Sequence, residues 1–278
     1  MNFYIIPTPI GNLEDLTLRS KNILSSLDFL VVENKNVSIK LLNKHSIDIK
    51  KILIYNDNSS EKDRKKILSL LKTSIYGGVI SDAGTPLISD PGYALVRECR
   101  SENIVVSPIP GACSVIAALS VSGLPTNQFS FRGFAPTKAK DRTTFLRTMS
   151  EETFTQVFFE TPHRITNTIE AMSQLMPGRD VAVCRELTKK FEQVVFSRIE
   201  EIQKMFVSSE IPSKGEFVII VRGVEIKKST NDDLLLNILL TELSPSRAAS
   251  VASKFLSSSR SQLYQRAMIL KEGLDLEN

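Results

Sequence analysis

Residues 81–92 read Ser81-Asp82-Ala83-Gly84-Thr85-Pro86-Leu87-Ile88-Ser89-Asp90-Pro91-Gly92 and follow the β-branched pair Val79-Ile80. Two carboxylates stand eight residues apart in a stretch dense in glycine and proline. Glycine permits close backbone approach, and proline fixes φ and removes a donor. At the end of a buried strand, such a loop is where an α/β protein places a ligand. Three more turn-rich loops follow expected strands, at 7–12, 108–114 and 160–164. The carboxyl ends of a parallel sheet share one edge, so these loops can converge. The chemistry they offer is narrow. No GxGxxG follows a strand and no GxxxxGK[ST] occurs, which removes the usual dinucleotide and triphosphate readings. There is also no Asn-Pro-Pro-aromatic tetrapeptide. Backbone N–H and C=O groups remain, and they suit an uncharged or zwitterionic adenosine-type ligand better than a triphosphate.

Few side chains are available for other chemistry. The two histidines, His45 and His163, and three cysteines, Cys99, Cys113 and Cys184, show neither CxxC nor HxxxH spacing, so no metal site is expected. Sparse, odd-numbered cysteines form no disulfide framework and fit a reducing compartment. The start, Met1-Asn2-Phe3-Tyr4-Ile5-Ile6-Pro7, lacks the basic region of a signal peptide. No apolar run reaches the roughly 18 residues of a membrane span. A cytoplasmic protein without a membrane partner is expected. The net charge of +4 permits a nucleic-acid partner without demanding one.

The elements that must position these loops alternate. Strands are expected at 3–6, 28–33, 51–55, 79–80 and 104–106, with helices at about 15–27, 37–43, 60–73, 93–101 and 114–120. This order predicts a mainly parallel sheet. The character changes near Gly123. Phe129-Ser130-Phe131-Arg132-Gly133-Phe134 alternates as a half-exposed strand, and a basic segment with Lys138, Lys140, Arg142 and Arg147 follows. Strands at 156–159, 180–184 and 216–221, a hairpin return at 193–196 and helices to Met176 and over 199–207 complete a second α/β half. Residues 227–232 read as a linker. Short amphipathic helices at 234–243, 246–256 and 261–270 form a tail, with Ser257-Ser258-Ser259-Arg260 as a cap. The tail carries Arg247, Lys254, Arg260 and Arg266, which suit nucleic-acid contact, dimerisation or packing. The resulting domains are 1–123, 124–225 and 232–272.

Seven stretches carry a resemblance: Pro7 to Asp15, Ser81 to Gly92, Ile109-Pro110-Gly111, Ala117 to Ser120 with Ser122 to Thr126, Glu160-Thr161-Pro162-His163-Arg164, Arg185 to Glu192, and Lys214-Gly215-Glu216-Phe217. In this order they resemble the ribosomal small subunit RNA 2′-O-methyltransferase I family, which modifies a cytidine of 16S rRNA. That family belongs to the tetrapyrrole-methylase-like, class III S-adenosylmethionine-dependent methyltransferases. The resemblance implies two unlike α/β halves with the cofactor in the cleft between them, a small helical C-terminal domain, and a homodimer.

It also implies S-adenosylmethionine contacts from Pro9, Asp82, Ala83, Gly84, Leu87, Ile88, Cys113, Ser114, Val115, Phe159, Leu187, Gly215 and Glu216. Where the family usually reads Ala-Glu-Asp-Thr-Arg, this chain has Val32-Glu33-Asn34-Lys35-Asn36. A ribose hydroxyl must be placed in line with the methyl group and must lose a proton. Glu160, His163, Lys189 and Glu192 are the candidates for handling it. Glu33, Arg132, Lys138, Lys140, Arg142 and Lys190 are the candidates for RNA contact. A tetrapyrrole- or diphthine-like small-molecule methylase is the alternative enzyme. A non-catalytic RNA-binding relative is the alternative from another class, supported only by the changed 32–36 run.

Overall fold

The structure, a computed structural model, describes residues 2–73, 76–224, 229–256 and 258–276, with 229–231 and 272–276 described by backbone alone. Residues 1–224 form one compact unit and 225–278 another. Lys227 and Lys228 of the expected linker, Glu225 at the expected domain end and Ser257 of the expected cap lie outside the described residues.

The first unit contains two sheets. The first joins β1 (Asn2–Ile5), β2 (Phe29–Val32), β3 (Ile52–Ile54), β4 (Tyr76–Ile80) and β5 (Val105–Pro108) in the order β3-β2-β4-β1-β5, all parallel. A parallel sheet covered on both faces reads as continuous apolar runs, and Phe29-Leu30-Val31-Val32 is buried throughout. Alternation divides that run. Phe29 and Val31 face a core with Phe3, Ile67, Leu71 and Leu95. Leu30 and Val32 face another with Ile6, Leu24, Leu42 and Ile80.

The covering helices are α1 (Leu18–Ser25), α2 (Lys35–Lys44), α3 (Glu61–Leu71) and α4 (Tyr93–Ser101). Their starts follow local chemistry. Thr17 accepts from Ser20 N, and Ser60 forms a capping box with Asp63. Asn34 caps α2 by accepting from Asn36 N. The changed 32–36 run therefore retains a good capping residue, since asparagine and aspartate cap about equally well.

The second sheet orders β6 (Phe129–Phe134), β7 (Thr155–Glu160), β8 (Asp180–Arg185), β9 (Gln193–Arg198) and β10 (Phe217–Val221) as β6-β7-β10-β8-β9. Only β6 and β7 pair in parallel; the other pairings are antiparallel. One face packs against α6 (Ala139–Glu151), α7 (Ile165–Leu175) and α8 (Ile199–Val207) through Leu146, Met149, Ile169, Met172, Ile202 and Phe206. On the other face, Val157, Ala182, Cys184, Val218 and Ile220 lie under Val115, Ala118 and Leu119 of α5 (Ser114–Val121). Helix α5 precedes Gly123 in the chain yet packs on the sheet that follows it. The two halves thus share a core across the expected boundary.

The second unit contains α9 (Ser229–Leu240), α10 (Pro245–Ala252) and α11 (Arg260–Leu276). Leu236, Leu240, Ala248, Ala249, Ala252, Leu263 and Ala267 form its core. Arg266, expected as a surface cation of the tail, donates twice to the Asp233 carboxylate, at 2.7 Å each. Its charge is spent holding α11 to α9.

Candidate active site

Three loops leave the carboxyl edge of the first sheet and pin one another. Thr8 N donates to Gly84 O at 2.9 Å, and Gly84 N donates to Thr8 O at 3.0 Å. The Thr8 hydroxyl donates to Ser81 O at 3.1 Å, and the Thr85 hydroxyl to Ala112 O at 2.9 Å. Gly84 has φ +78, and a side chain there would place Cβ 3.3 Å from Ile10 Cγ2. Leu87 and Ser89 also have positive φ, at 75° and 64°. A non-glycine residue in that region costs on the order of 1–3 kcal/mol, so the surroundings must hold this loop in shape.

The opposite wall comes from the second half. Glu160 ends β7, and its side chain is fully buried. It accepts from Thr161 N at 2.7 Å, Arg164 Nε at 2.9 Å and the Thr168 hydroxyl at 2.7 Å. In the loop after β8, Glu186 and Thr188 have φ of 51° and 63°. These two, with Leu87 and Ser89, make four of the seven non-glycine residues at positive φ among the described residues. Backbone strain therefore concentrates on the two facing walls. Lys189 Nζ sits 2.9 Å from Glu186 Oε1 and 3.0 Å from Glu216 Oε2. Asn12 N donates to the Thr188 hydroxyl at 3.1 Å, which ties the first loop of one half to this loop of the other.

Between the walls lies a cavity of about 370 Å³. Its first-half lining is Ile10, Ala83, Gly84, Thr85, Ile88, Ser89, Asp90, Cys113 and Ser114. Its second-half lining is Phe134, Phe159, Glu160, Thr161, Pro162, Cys184, Leu187, Glu216, Phe217 and Val218. The carboxylates of the two walls differ. Burial pushes Asp90 up to about 6, and the charges of Glu33, Asp82 and Asp57 add to this against an opposing Ser81 hydrogen bond. Burial also raises Glu33, with the Asp82 N–H opposing it. It raises Asp82 too, against the Asn34 N–H. On the other wall, burial alone would raise Glu186, but the Glu216 N–H and Lys189 outweigh it and hold the carboxyl low. Burial works against the Lys189 charge, yet Glu186 and Glu216 keep its pKa above the ordinary value.

Of the residues expected at the cofactor, Ala83, Gly84, Ile88, Cys113, Ser114, Phe159, Leu187 and Glu216 line the cavity. Pro9, Asp82, Leu87, Val115 and Gly215 do not. Asp82 instead accepts from Asn34 N at 3.1 Å, while its own N–H donates to Glu33. Leu87 packs against the first-sheet core, and Val115 is buried where α5 packs on the second sheet.

The proton-handling candidates separate as well. Glu160 lines the cavity, but Thr161, Arg164 and Thr168 already occupy its carboxylate. Lys189 is held protonated by two acids. Glu192 accepts from Thr188 N at 2.6 Å and shapes its own loop. His163 is exposed beside cavity-lining Pro162, and no protein group pairs with its ring among the described residues.

The expected RNA contacts are also redistributed. Arg142 is buried and donates to Pro136 O and Thr137 O, so it braces the turn into α6 and presents no charge to a partner. Arg132 pairs with Gln156 and Glu152 across the β6–β7 edge. Glu33 is tied to Asp82 N. Lys138, Lys140 and Lys190 remain exposed.

The cavity also takes Ile10, Thr85, Ser89, Asp90, Thr161 and Pro162 from loops expected to converge, though not named there as contacts, and Phe134, Cys184, Phe217 and Val218, which the sequence did not single out. Asp90 was visible as the second acid of the 81–92 loop. Phe134 was visible as an aromatic at the end of an alternating strand.

The cavity fits a cationic nucleoside of the S-adenosylmethionine kind. Apolar walls from Phe159, Leu187 and Val218 suit a purine, and Asp90 supplies a carboxylate with no cationic partner among the described residues. Comparisons with known proteins agree. The Tetrapyrrole (Corrin/Porphyrin) Methylases family matches residues 2–203, and the RsmI C-terminal HTH domain matches residues 229–271. The ribosomal RNA small subunit methyltransferase I of Vibrio cholerae is 39% identical over 267 residues, covering 94% of this chain and 92% of its own. Its Escherichia coli O157:H7 counterpart is 36% identical, covering 95% and 94%. Among solved structures, diphthine synthase superposes with a TM-score of 0.61 at 13% identity, over 80% of this chain and 90% of its own. Cobalt precorrin-4 methyltransferase gives 0.58 at 17%, over 80% and 94%. At such identities these two show the fold alone. On the strength of the family matches, the chain belongs to the ribosomal RNA small subunit methyltransferase I family of S-adenosylmethionine-dependent methyltransferases.

Proposed function

We propose that this protein methylates the 2′-oxygen of a cytidine ribose in the 16S rRNA of the small ribosomal subunit, acting as a cytoplasmic homodimer. One observation carries the reading at the site: a cavity between two sheets, apolar on its sides, with Asp90 in its lining. When bound, S-adenosylmethionine supplies the electrophilic methyl group. The chain supplies placement. Ala83, Gly84 and Thr85 bring the strained loop close to the ligand, Phe159 and Leu187 enclose it, and Asp90 would hold its cationic end. Excluding water from the cavity strengthens that electrostatic contact. Exposed Lys138, Lys140 and Lys190 would contact RNA phosphates and fix the register of the substrate.

Of the four proton-handling candidates, His163 is the one left without a protein partner, and we assign it the proton of the ribose hydroxyl. His163→Ala should lower kcat by about a hundredfold with cofactor affinity retained. A kcat within about twofold of wild type would leave the proton to solvent. The reaction itself is tested by transfer of labelled methyl to undermethylated small subunits, followed by nuclease mapping. Label at the 2′-oxygen of one cytidine is expected. An active methylase that ignores the subunit and modifies a tetrapyrrole- or diphthine-like substrate would overturn the assignment.

A further inference from the structure

Strand β6 ends in a feature that cofactor binding does not require. Phe131 pairs with Val157 and Phe134 with Phe159, so β6 uses three steps where β7 uses two. One extra residue is inserted, and Gly133 accommodates it at φ +68. A bulge of this kind re-aims the side chain that follows it and is common beside active sites. Here the re-aimed side chain is Phe134.

Its ring lines the cavity but remains 55% exposed. Phe159 meets it edge-to-face with centroids 5.2 Å apart, and Phe131 meets Phe159 in the same manner at 4.9 Å. Phe159 is thus gripped from two sides, while Phe134 keeps one face open at the mouth. Gly133 lies against the tip of the 81–92 loop, since a Cβ there would sit 3.7 Å from Ser89 Oγ. The mouth is therefore framed by Ser89 on one side and Phe134 on the other.

An open aromatic face at the mouth of a cavity offers a surface on which a flat apolar group can stack. Two occupants have a flat apolar face, the purine of the cofactor and a base of the RNA. The placement favours the base. The deeper lining, Phe159, Leu187, Phe217 and Val218, already offers an apolar enclosure for the purine. Phe134 also leads through Ala135-Pro136-Thr137 to exposed Lys138 and Lys140, within about 14 Å of extended chain for the nearer one. An open aromatic face followed closely by unpaired cations is the pattern that binds single-stranded nucleic acid, by stacking the base and neutralising the backbone.

We propose that Phe134 is a stacking platform for an unstacked RNA base at the mouth of the cavity, and that it positions the target nucleotide for transfer. A ribose inside a helical stack cannot present its 2′-oxygen to an enclosed methyl donor, so the nucleotide must leave the stack. Stacking on Phe134 offsets part of that cost. This proposal rests on the RNA-methyltransferase reading above.

The chain contains no tryptophan, so F134W installs a single tryptophan at the site, which can be excited apart from the five tyrosines. Its emission should be quenched when undermethylated small subunits or a single-stranded oligonucleotide of the target sequence bind. S-adenosylhomocysteine alone should change it little. In steady-state methylation, F134A and F134L should raise KM for the subunit by about tenfold, leave cofactor affinity within about twofold, and F134W should restore KM. Quenching by S-adenosylhomocysteine with a matching loss of cofactor affinity in F134A would assign the ring to the purine and overturn the proposal. Unchanged KM in F134A and F134L would also overturn it. Failure of the wild-type protein to methylate the subunit is a separate outcome, which defeats the functional reading rather than the stacking role.

Discussion

The two walls of the cavity are built on opposite principles. On the second-half wall the charges nearest the cavity are paired. Glu160 is bound by Thr161, Arg164 and Thr168, and Lys189 by Glu186 and Glu216. On the first-half wall, Asp90 lines the cavity with Glu33 and Asp82 behind it, all three have raised pKa values, and no cation pairs with Asp90 among the described residues. A paired wall is a rigid frame. A desolvated carboxylate without a cation suits a positively charged ligand, and under the function proposed above this is the wall that meets the cofactor.

This contrast breaks first at Gly84. Its φ of +78 and the nearby Ile10 side chain leave no room for a β-branched residue. Gly84→Val should weaken S-adenosylmethionine binding by about a hundredfold in calorimetry, while circular dichroism shows a folded protein. Normal binding by this variant would remove the cofactor from the 81–92 loop.

The paired wall is tested at Glu160. Glu160→Gln strands Arg164 beside a neutral amide and should cost about 3 kcal/mol of stability in denaturant unfolding. Cofactor affinity should stay within about threefold of wild type. A stable variant with lost turnover would instead restore Glu160 as a catalytic group.

Asp90 sharpens the comparison with a smaller effect of two signs. Its raised pKa means that the ionised carboxylate is disfavoured in the folded protein. The stability it withholds is absent below its unfolded pKa and grows as pH rises towards about 6. Asp90→Asn should therefore raise the Tm of the ligand-free protein at neutral pH, yet weaken S-adenosylmethionine binding by about tenfold. Thermal denaturation with and without the cofactor reads both. A fall in Tm without ligand would show that Asp90 is structural.

Much of the first half was legible because its signals are local. The buried run Phe29-Leu30-Val31-Val32 and the Ser60–Asp63 capping box declare a strand and a helix start from neighbouring residues alone. In the sequence, α6 shows only as a basic segment. Its apolar residues Phe145, Leu146 and Met149 occupy one end, and Thr143-Thr144 dilutes its helical pattern. The site was legible in position and less so in role. Glu160 is a carboxylate in a loop until Thr168, one helix turn into α7, closes on it. Asp90 is raised first by burial and then by the charges of Glu33, Asp82 and Asp57, and only the folded chain buries it and brings Glu33 and Asp57 near. Arg142 joins a basic stripe in the sequence but turns back on Pro136 and Thr137 once α6 forms. In each case the deciding partner lies across a turn or a sheet, where composition and spacing do not reach.

Under the proposed function, the first-half wall binds the cofactor through the Asp90 carboxylate, which burial pushes up to about 6. Calorimetric titration of S-adenosylmethionine into the wild-type protein, between about pH 5 and pH 8, tests it most directly. Affinity should rise as pH passes through about 6 and then level off, and Asp90→Asn should abolish the step. Absence of binding, or an affinity that is flat across this range in the wild type, would contradict the account.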